Sequence, residues 1–187
     1  IVAEWFRLPS LVLDERFPLV EAIEIAAAAT RNVYRAFPQH LHIVGAPEPP
    51  VLLSSSGLLV VMDCLFVMLE NSWRHSGLGD ALPPPEIEVE FDIVTRLLML
   101  RCRSALSVER RQVMENGQFS LLQSKYLDEL PVDLIGAEGG SGFPKLARLV
   151  RTVSKDVCAR PFDFRVEREQ WITVINVPLY EREGGYD

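Results

Sequence analysis

The sequence predicts an α+β protein built in two layers, and three observations lead to that prediction. Residues Glu86 to Ile93 alternate between acidic and apolar side chains, which is typical of an antiparallel strand with one solvated face. Residues Leu58 to His75 form a long, mostly apolar segment with the composition of a buried helix. Strand pairs alternate with helices along the chain. We therefore expect a mostly antiparallel sheet with helices on it, and not a doubly wound fold.

The first half of the chain is predicted to contain two helices. Phe17 to Phe37 is the first, because Pro18 suits a first turn and the run of alanines favours helix. Leu58 to His75 is the second, and the serines at 54–56 offer N-cap hydroxyls for it. Short strands are expected at Leu41–Val44 and Val51–Leu53.

The second half is predicted to contain two hairpins separated by a variable region. Each hairpin pairs an alternating strand with a more apolar one, and proline or glycine follows most of the elements. The expected elements are strands at Glu86–Ile93 and Leu97–Cys102, one or two helices within Ser107–Leu130, a glycine-rich loop at Gly136–Gly142, a helix from Pro144, and strands at Phe162–Val166 and Trp171–Val177.

Composition narrows the class of protein. With 187 residues, 48% of them hydrophobic, the chain can bury a core and is too apolar to be disordered. The net charge of −7 argues against a nucleic-acid binder, which carries a basic surface. The longest apolar run, residues 57–69, is too short to span a bilayer and is interrupted by Asp63. We therefore expect a cytoplasmic protein that contacts neither nucleic acid nor membrane.

The chain begins with Ile1, and we expect it to be part of a longer protein. Residues 1–38 are expected to form an N-terminal extension and a helix packed on the domain. Residues 39–180 are expected to form the domain itself, and residues 181–187 a tail. The expected protein partners are then the other domains of the parent protein, with a homodimer as a further candidate.

The polar end of the long helix is the first candidate site. Asn71 and His75 are four residues apart, as are Glu70 and Arg74, so each pair shares a helix face. A carboxylate beside a carboxamide can bind Mg²⁺ through oxygen or polarise a water. The alternative is a solvated helix end, since Glu–Arg pairs at this spacing are common on surfaces.

The glycine-rich loop is the second candidate site. Residues 136–142 contain four of the chain's 11 glycines, which let backbone N–H groups approach a phosphate closely. The loop leads into a helix N-terminus, where Lys145, Arg148 and Arg151 supply positive charge. Its spacing matches neither the Walker A nor the dinucleotide motif. A mobile surface loop before a solvated basic helix is the alternative.

Taken in order, these motifs resemble those of the gyrase and sensor-histidine-kinase ATPase superfamily (the GHKL or Bergerat fold). The segment LENSWRHS at 69–76 resembles the N-box, L-x-E-N-A-x-K-H-S. The segment EGGSGFPKL at 138–146 resembles the second glycine box, G-G-S/T-G-L-G-L. The segment WITVINVPL at 171–179 is similar to the last strand of histidine-kinase ATPase domains, which often ends in L-P-L.

The resemblance implies a two-layer α/β sandwich with ATP and Mg²⁺ between the N-box helix and the glycine-box helix. Asn71 takes the position of the family's Mg²⁺ ligand, and Glu70 that of the catalytic residue that orients or deprotonates a nucleophile. Arg74 and His75 take positions near the phosphates or the lid. The glycine-box residues that this resemblance places around the phosphates are Gly139, Gly140, Ser141, Gly142 and Lys145.

One departure from the family pattern leaves two functions open. The family's first glycine box, D-x-G-x-G, follows the central hairpin, and its Asp reads the adenine amino group. Here the hairpin ends in RCRSALS at 101–107, which contains neither Asp nor Gly. The chain is either an ATP·Mg-binding domain of a bacterial signalling or ATPase protein, or a pseudo-ATPase that acts as an interaction or regulatory module. An unrelated α+β domain is the remaining alternative.

Overall fold

The computed structural model describes residues 16–118, 142, 146, 148–150 and 161–179. Helices and strands alternate along these residues in the order that the sequence predicts. Gly142, Leu146 and Arg148 to Val150 are helical and are called the Gly142 helix below. The other elements are β1 (Phe17–Pro18), α1 (Leu19–Val33), β2 (His42–Val44), β3 (Leu52–Leu53), α2 (Ser55–His75), β4 (Glu86–Asp92), β5 (Leu97–Ala105), α3 (Val108–Val113), β6 (Phe162–Glu167) and β7 (Gln170–Pro178).

The main sheet has five strands in the order β2-β4-β5-β7-β6. Only β2 and β4 are parallel, and the other neighbouring strands are antiparallel. Apolar residues recur at every second position of β4 and β5, so Ile87 pairs with Cys102 and Val89 with Leu100 on one face. The mixed, mostly antiparallel sheet confirms the predicted α+β class.

The helix α2 packs on one face of this sheet, and α1 packs against α2. The N-cap of α2 is Ser54, whose hydroxyl accepts the Gly57 N–H at 3.2 Å, as the serine run predicts. Length and composition alone would let α2 cross a membrane, but it packs against α1 and contacts β5 and β7. It is therefore a core helix. Its buried residues are Val61, Cys64, Leu65, Met68, Leu69, Asn71 and Ser72.

The opposite face of the sheet carries a network of ion pairs. Arg103 donates to Glu86 at 2.5 Å and contacts Glu88 at 2.7 Å, while Arg101 donates to Glu88 at 2.6 Å. Ile172 lies on this face beside Arg103, yet it is only 1% exposed. This face therefore also buries an apolar side chain, next to the aliphatic part of an arginine.

Several predicted boundaries are wrong. The first helix begins at Leu19 instead of Phe17, because Phe17 and Pro18 pair with β3 as β1. The strand predicted to end at Cys102 continues to Ala105, because it stays paired with β7. The helix α1 ends at Val33 instead of Phe37, because Tyr34 adopts an extended backbone and the chain turns there. That turn buries Phe37, whose ring centroid lies 6.2 Å from that of Trp73 on α2. Gly142 was predicted to lie in a loop before a helix from Pro144, but it is already helical.

Candidate functional site between α2 and the Gly142 helix

Asn71 and Gly142 face each other between α2 and the Gly142 helix. A Cβ placed on Gly142 would lie 3.4 Å from Nδ2 and 3.5 Å from Oδ1 of Asn71. The two residues belong to motifs that are far apart in the sequence, so the fold brings together the two candidate sites that the sequence predicts. Because Gly142 has no side chain, no Cβ atom of this residue packs on the amide of Asn71.

One hydrogen-bonding group of the Asn71 amide has no partner in the described part of the chain. The residue is 6% exposed, and its Nδ2 has no hydrogen-bond partner among the described residues. A buried amide without a partner costs free energy, so native proteins seldom keep one unless a ligand or an ordered water completes it. Within the part of the chain that the structure describes, Nδ2 of Asn71 is therefore a donor that a ligand could use.

Glu70 faces α1. Its Oε1 accepts a hydrogen bond from the Tyr34 hydroxyl at 2.7 Å and one from Arg74 Nη1 at 3.3 Å. Burial and the bond to Glu70 raise the pKa of Tyr34. The Glu70–Arg74 pair confirms the face-sharing that the four-residue spacing predicts. Both bonds use Oε1, so with respect to the described residues Oε2 is the carboxylate oxygen left for a water or another nucleophile.

His75 contacts α3. Arg110 Nε donates to the carbonyl oxygen of His75 at 3.2 Å, and Arg110 Nη2 lies 3.3 Å from His75 Nδ1. A guanidinium can only donate, so Nδ1 accepts and the imidazole is neutral with its proton on Nε2. Burial, followed by the charges of Arg110 and Arg74, lowers the pKa of His75. Both effects favour the neutral imidazole.

A short connection fixes α3 to the end of α2. Only Leu106 and Ser107 separate β5 from α3, and the Ser107 N–H donates to the carbonyl of Ser76 at 2.8 Å. Ser107 also caps α3 by accepting the Arg110 N–H at 3.2 Å. This connection stands where the resembling family places its first glycine box, and two residues cannot hold that motif.

The two described cysteines are core residues. Cys64 and Cys102 are both buried, and burial raises the pKa of the Cys64 thiol and that of the Cys102 thiol, the latter to about 11. A neutral, buried thiol is a poor nucleophile. Within residues 16–118, 142, 146, 148–150 and 161–179, no three His, Cys, Asp or Glu side chains come together as a metal site.

Several predicted site residues lie outside the described residues. They are Gly139, Gly140, Ser141 and Lys145, together with the rest of the predicted loop at 136–141 and Arg151. The contacts of Tyr34 and Arg110 were not predicted. Each joins residues about 35 positions apart, and no local pattern marks either partner.

Comparison with known proteins places these motifs in a family. Residues 18–178 match the sequence model described as "y4jQ C-terminal putative histidine kinase domain". The comparison with curated protein sequences found no match.

Solved structures of histidine kinases share the fold. The catalytic domain of the histidine kinase ThkA superposes with a TM-score of 0.55 at 11% identity, over 88% of this chain and 95% of that one. The kinase domain of a blue-light activated histidine kinase from Erythrobacter litoralis gives 0.54 at 14% identity, over 87% and 62%. The kinase domain of the E. coli osmosensor EnvZ gives 0.50 at 12%, over 93% and 94%. At such identities the likeness concerns the fold alone.

Proposed function

Because the chain belongs to the family described as "y4jQ C-terminal putative histidine kinase domain", within the GHKL superfamily, we propose that it binds ATP with Mg²⁺ between α2 and the Gly142 helix. The observation that supports this proposal is the buried Nδ2 of Asn71, which faces Gly142 and has no hydrogen-bond partner among the described residues. In this proposal the triphosphate lies along Gly142 and completes the hydrogen bonding of Asn71.

The residues present fit a magnesium ion that arrives with the nucleotide. Mg²⁺ prefers oxygen ligands and commonly takes one or two from the protein, the rest coming from phosphates and water. The Asn71 carboxamide offers one such oxygen, and it faces Gly142. When bound, the ion would neutralise charge that builds up on the phosphates.

The roles of the neighbouring residues follow from their contacts. Tyr34 and Arg74 hold Glu70 through Oε1, which leaves Oε2 to orient a water or a phosphoryl acceptor. Arg110 holds His75 as a neutral imidazole, so His75 would donate through Nε2. We propose that Gly139, Gly140 and Ser141 wrap the phosphates with backbone N–H groups and that Lys145 adds a cation. Hydrolysis or phosphotransfer to a group elsewhere in a larger protein is the proposed chemistry.

Calorimetric titration of the 187-residue chain with ATP and Mg²⁺ tests the binding proposal. The wild type should release or absorb heat at micromolar to millimolar nucleotide, and Asn71→Ala should bind at least tenfold more weakly. Asn32→Ala is the matched control, because Asn32 is exposed on α1. No heat from the wild type at millimolar ATP would contradict the proposal.

A pseudo-ATPase is the second candidate function. It is favoured by the two-residue connection between β5 and α3, which leaves no place for the first glycine box. In this alternative the fold serves as an interaction or regulatory module of the parent protein and turns over no nucleotide. Phosphate release by the wild type that disappears in Glu70→Gln would exclude it. Nucleotide binding without any release would support it.

A further inference from the structure

Ser104, on the helix-covered face of the sheet, carries a buried hydroxyl without a hydrogen-bond partner among the described residues. The residue is 3% exposed, and its Oγ has no hydrogen-bond partner among the described residues. Ser104 follows Cys102 by two positions on β5, so the two side chains share the face that packs against α2. Native proteins almost always supply a hydrogen bond to a hydroxyl buried in this way, and none of the described residues supplies one here.

The cross-strand neighbour of Ser104 does not supply that bond. Trp171 pairs with Ser104 across β5 and β7, but its indole Nε1 donates to Thr173 Oγ1 at 2.9 Å. The ring of Trp171 stacks on Phe164, with centroids 5.4 Å apart. The ladder between β4 and β5 ends at the pair Glu86–Arg103, one residue before Ser104. Ser104 therefore lies just beyond the end of β4, where the sheet narrows.

Ser104 lies within a nucleotide's length of Asn71. Ser72, the residue after Asn71, contacts Cys102 with Oγ and Sγ 3.5 Å apart. Two residues of strand place Ser104 roughly 7 Å beyond that contact along β5. An elongated ligand that binds Asn71 through its phosphates can therefore reach Ser104 with its other end. For a nucleotide, that end is the base.

We propose that the Ser104 hydroxyl hydrogen-bonds the edge of the nucleotide base and that it sets the base selectivity of the site. This inference rests on the proposed function, since it needs the phosphates to lie at Asn71. A hydroxyl both donates and accepts, so it can meet the amino group of adenine or the carbonyl group of guanine. A carboxylate, such as the Asp of the family's first glycine box, can only accept a hydrogen bond and would favour the amino group of adenine. The site should therefore bind ATP and GTP with dissociation constants within about tenfold of each other.

Titration of the 187-residue chain with three probes tests this inference. ATP, GTP and inorganic tripolyphosphate are each added with Mg²⁺ to the wild type and to Ser104→Ala. Losing one neutral hydrogen bond should raise the dissociation constants of ATP and GTP about 3- to 10-fold. Tripolyphosphate has no base, so its dissociation constant should stay unchanged. The melting temperature of the ligand-free variant should stay equal or rise, because the variant removes an unsatisfied hydroxyl.

Ser72→Ala is the matched control. Ser72 is also a buried serine on the side of α2 that meets β5, but its hydroxyl already donates to the carbonyl of Met68 at 2.9 Å. Its removal should leave the binding of all three probes unchanged.

The possible outcomes separate this inference from the proposed function. If the wild type binds ATP and tripolyphosphate but Ser104→Ala changes neither ATP nor GTP binding, the role of Ser104 is wrong and the proposed function stands. An equal loss for ATP and tripolyphosphate would assign Ser104 a structural role only. A preference for ATP over GTP of about a hundredfold would overturn the proposed selectivity. If no probe binds the wild type, the proposed function fails and the inference fails with it.

Discussion

The hydroxyl of Tyr34 lies 2.7 Å from Oε1 of Glu70 and joins the C-cap residue of α1 to the last turns of α2. The rings of Tyr34 and Trp73 lie 6.2 Å apart between centroids, so an apolar contact accompanies the hydrogen bond. The side chain that the family resemblance marks as catalytic is therefore positioned by a residue of a different helix. That contact affects both the stability of the helix pair and the orientation of Glu70.

Tyr34→Phe should destabilise the fold by about 1 kcal/mol, because it removes one partly buried hydrogen bond and keeps the ring contact with Trp73. Urea unfolding followed by circular dichroism measures the change. Arg74→Ala is the matched control, because it removes the other partner of Glu70 Oε1. Arg74 is 54% exposed, so this exposed pair should contribute less than about 0.5 kcal/mol. Equal costs for the two variants would contradict the dominant role of Tyr34.

The free energy of unfolding should decrease as the pH is lowered, because His75 becomes protonated. Burial and the charges of Arg110 and Arg74 lower the pKa of His75 in the folded state. The unfolded chain therefore binds the proton more readily, and folding stability is lost as pH falls below the ordinary pKa of about 6.5. At high pH the contribution is fully present. Protonation also converts Nδ1 from an acceptor into a donor, which breaks its contact with Arg110.

Melting temperatures between about pH 7.5 and pH 5 measure this dependence. The loss should be steeper for the wild type than for His75→Gln, which keeps a polar side chain but does not titrate. His42→Gln is the matched control, because His42 is 70% exposed and pairs with Glu86 on the charged face of the sheet. This variant keeps His75 and Arg110, so it should keep the pH-dependent loss that His75→Gln removes. Identical slopes for the wild type and His75→Gln would show that another group causes the pH dependence.

The sequence predicted the sheet better than the ends of the helices, for a physical reason. Alternation along Glu86–Asp92 is local, so period-two patterning locates the strand and its faces without tertiary information. The end of α1 depends on Phe37, which packs on the distant Trp73 of α2. The contact of His75 with Arg110 is equally non-local. Neither contact can be predicted from helix propensity or from the spacing of residues in the sequence.

The sequence motifs predicted which residues belong to the candidate site, but they did not predict how those residues are arranged. The resemblance selected Asn71 and Gly142, and the structure places them in contact. The spacing of Glu70 and Arg74 predicted their ion pair. No pattern marked Ser104, because a single serine in an apolar strand is ordinary in sequence. It stands out only when its burial and its missing hydrogen bond are known.

Gly142→Ala should weaken nucleotide binding while the fold is kept. Gly142 is helical, and a methyl group there would meet its neighbours at 3.4 Å, an ordinary contact. Alanine in place of a helical glycine should stabilise the chain by roughly 0.5–1 kcal/mol. The same methyl group would cover the Asn71 amide, so we expect the dissociation constant of Mg·ATP to rise about tenfold or more. Calorimetry and thermal melting measure the two effects.

Gly57→Ala is the control for that substitution. Gly57 lies in the first turn of α2, and the intervening helical residues place it roughly 21 Å from Asn71. It should leave Mg·ATP binding unchanged. If Gly142→Ala also binds Mg·ATP as tightly as the wild type, the ligand does not approach Asn71 from the side of Gly142.

Gly77→Ala should loosen the connection between α2 and α3. Gly77 has a φ of +73°, and a Cβ there would lie 2.6 Å from Ser107 Oγ, so alanine would be both strained and in collision. We expect a loss of about 2 kcal/mol or more, since the left-handed backbone alone costs alanine roughly 1–2 kcal/mol. Exchange of the Ser107 amide, which donates to Ser76, should become faster.

Gly79→Ala is the matched control for Gly77→Ala. Gly79 also has a positive φ, +52°, but among the described residues no atom lies within 4 Å of the place that its new methyl group would take. This variant should therefore show the backbone strain without the collision, and its loss of stability should be the smaller of the two. Equal losses for the two variants would mean that Ser107 does not pack against Gly77.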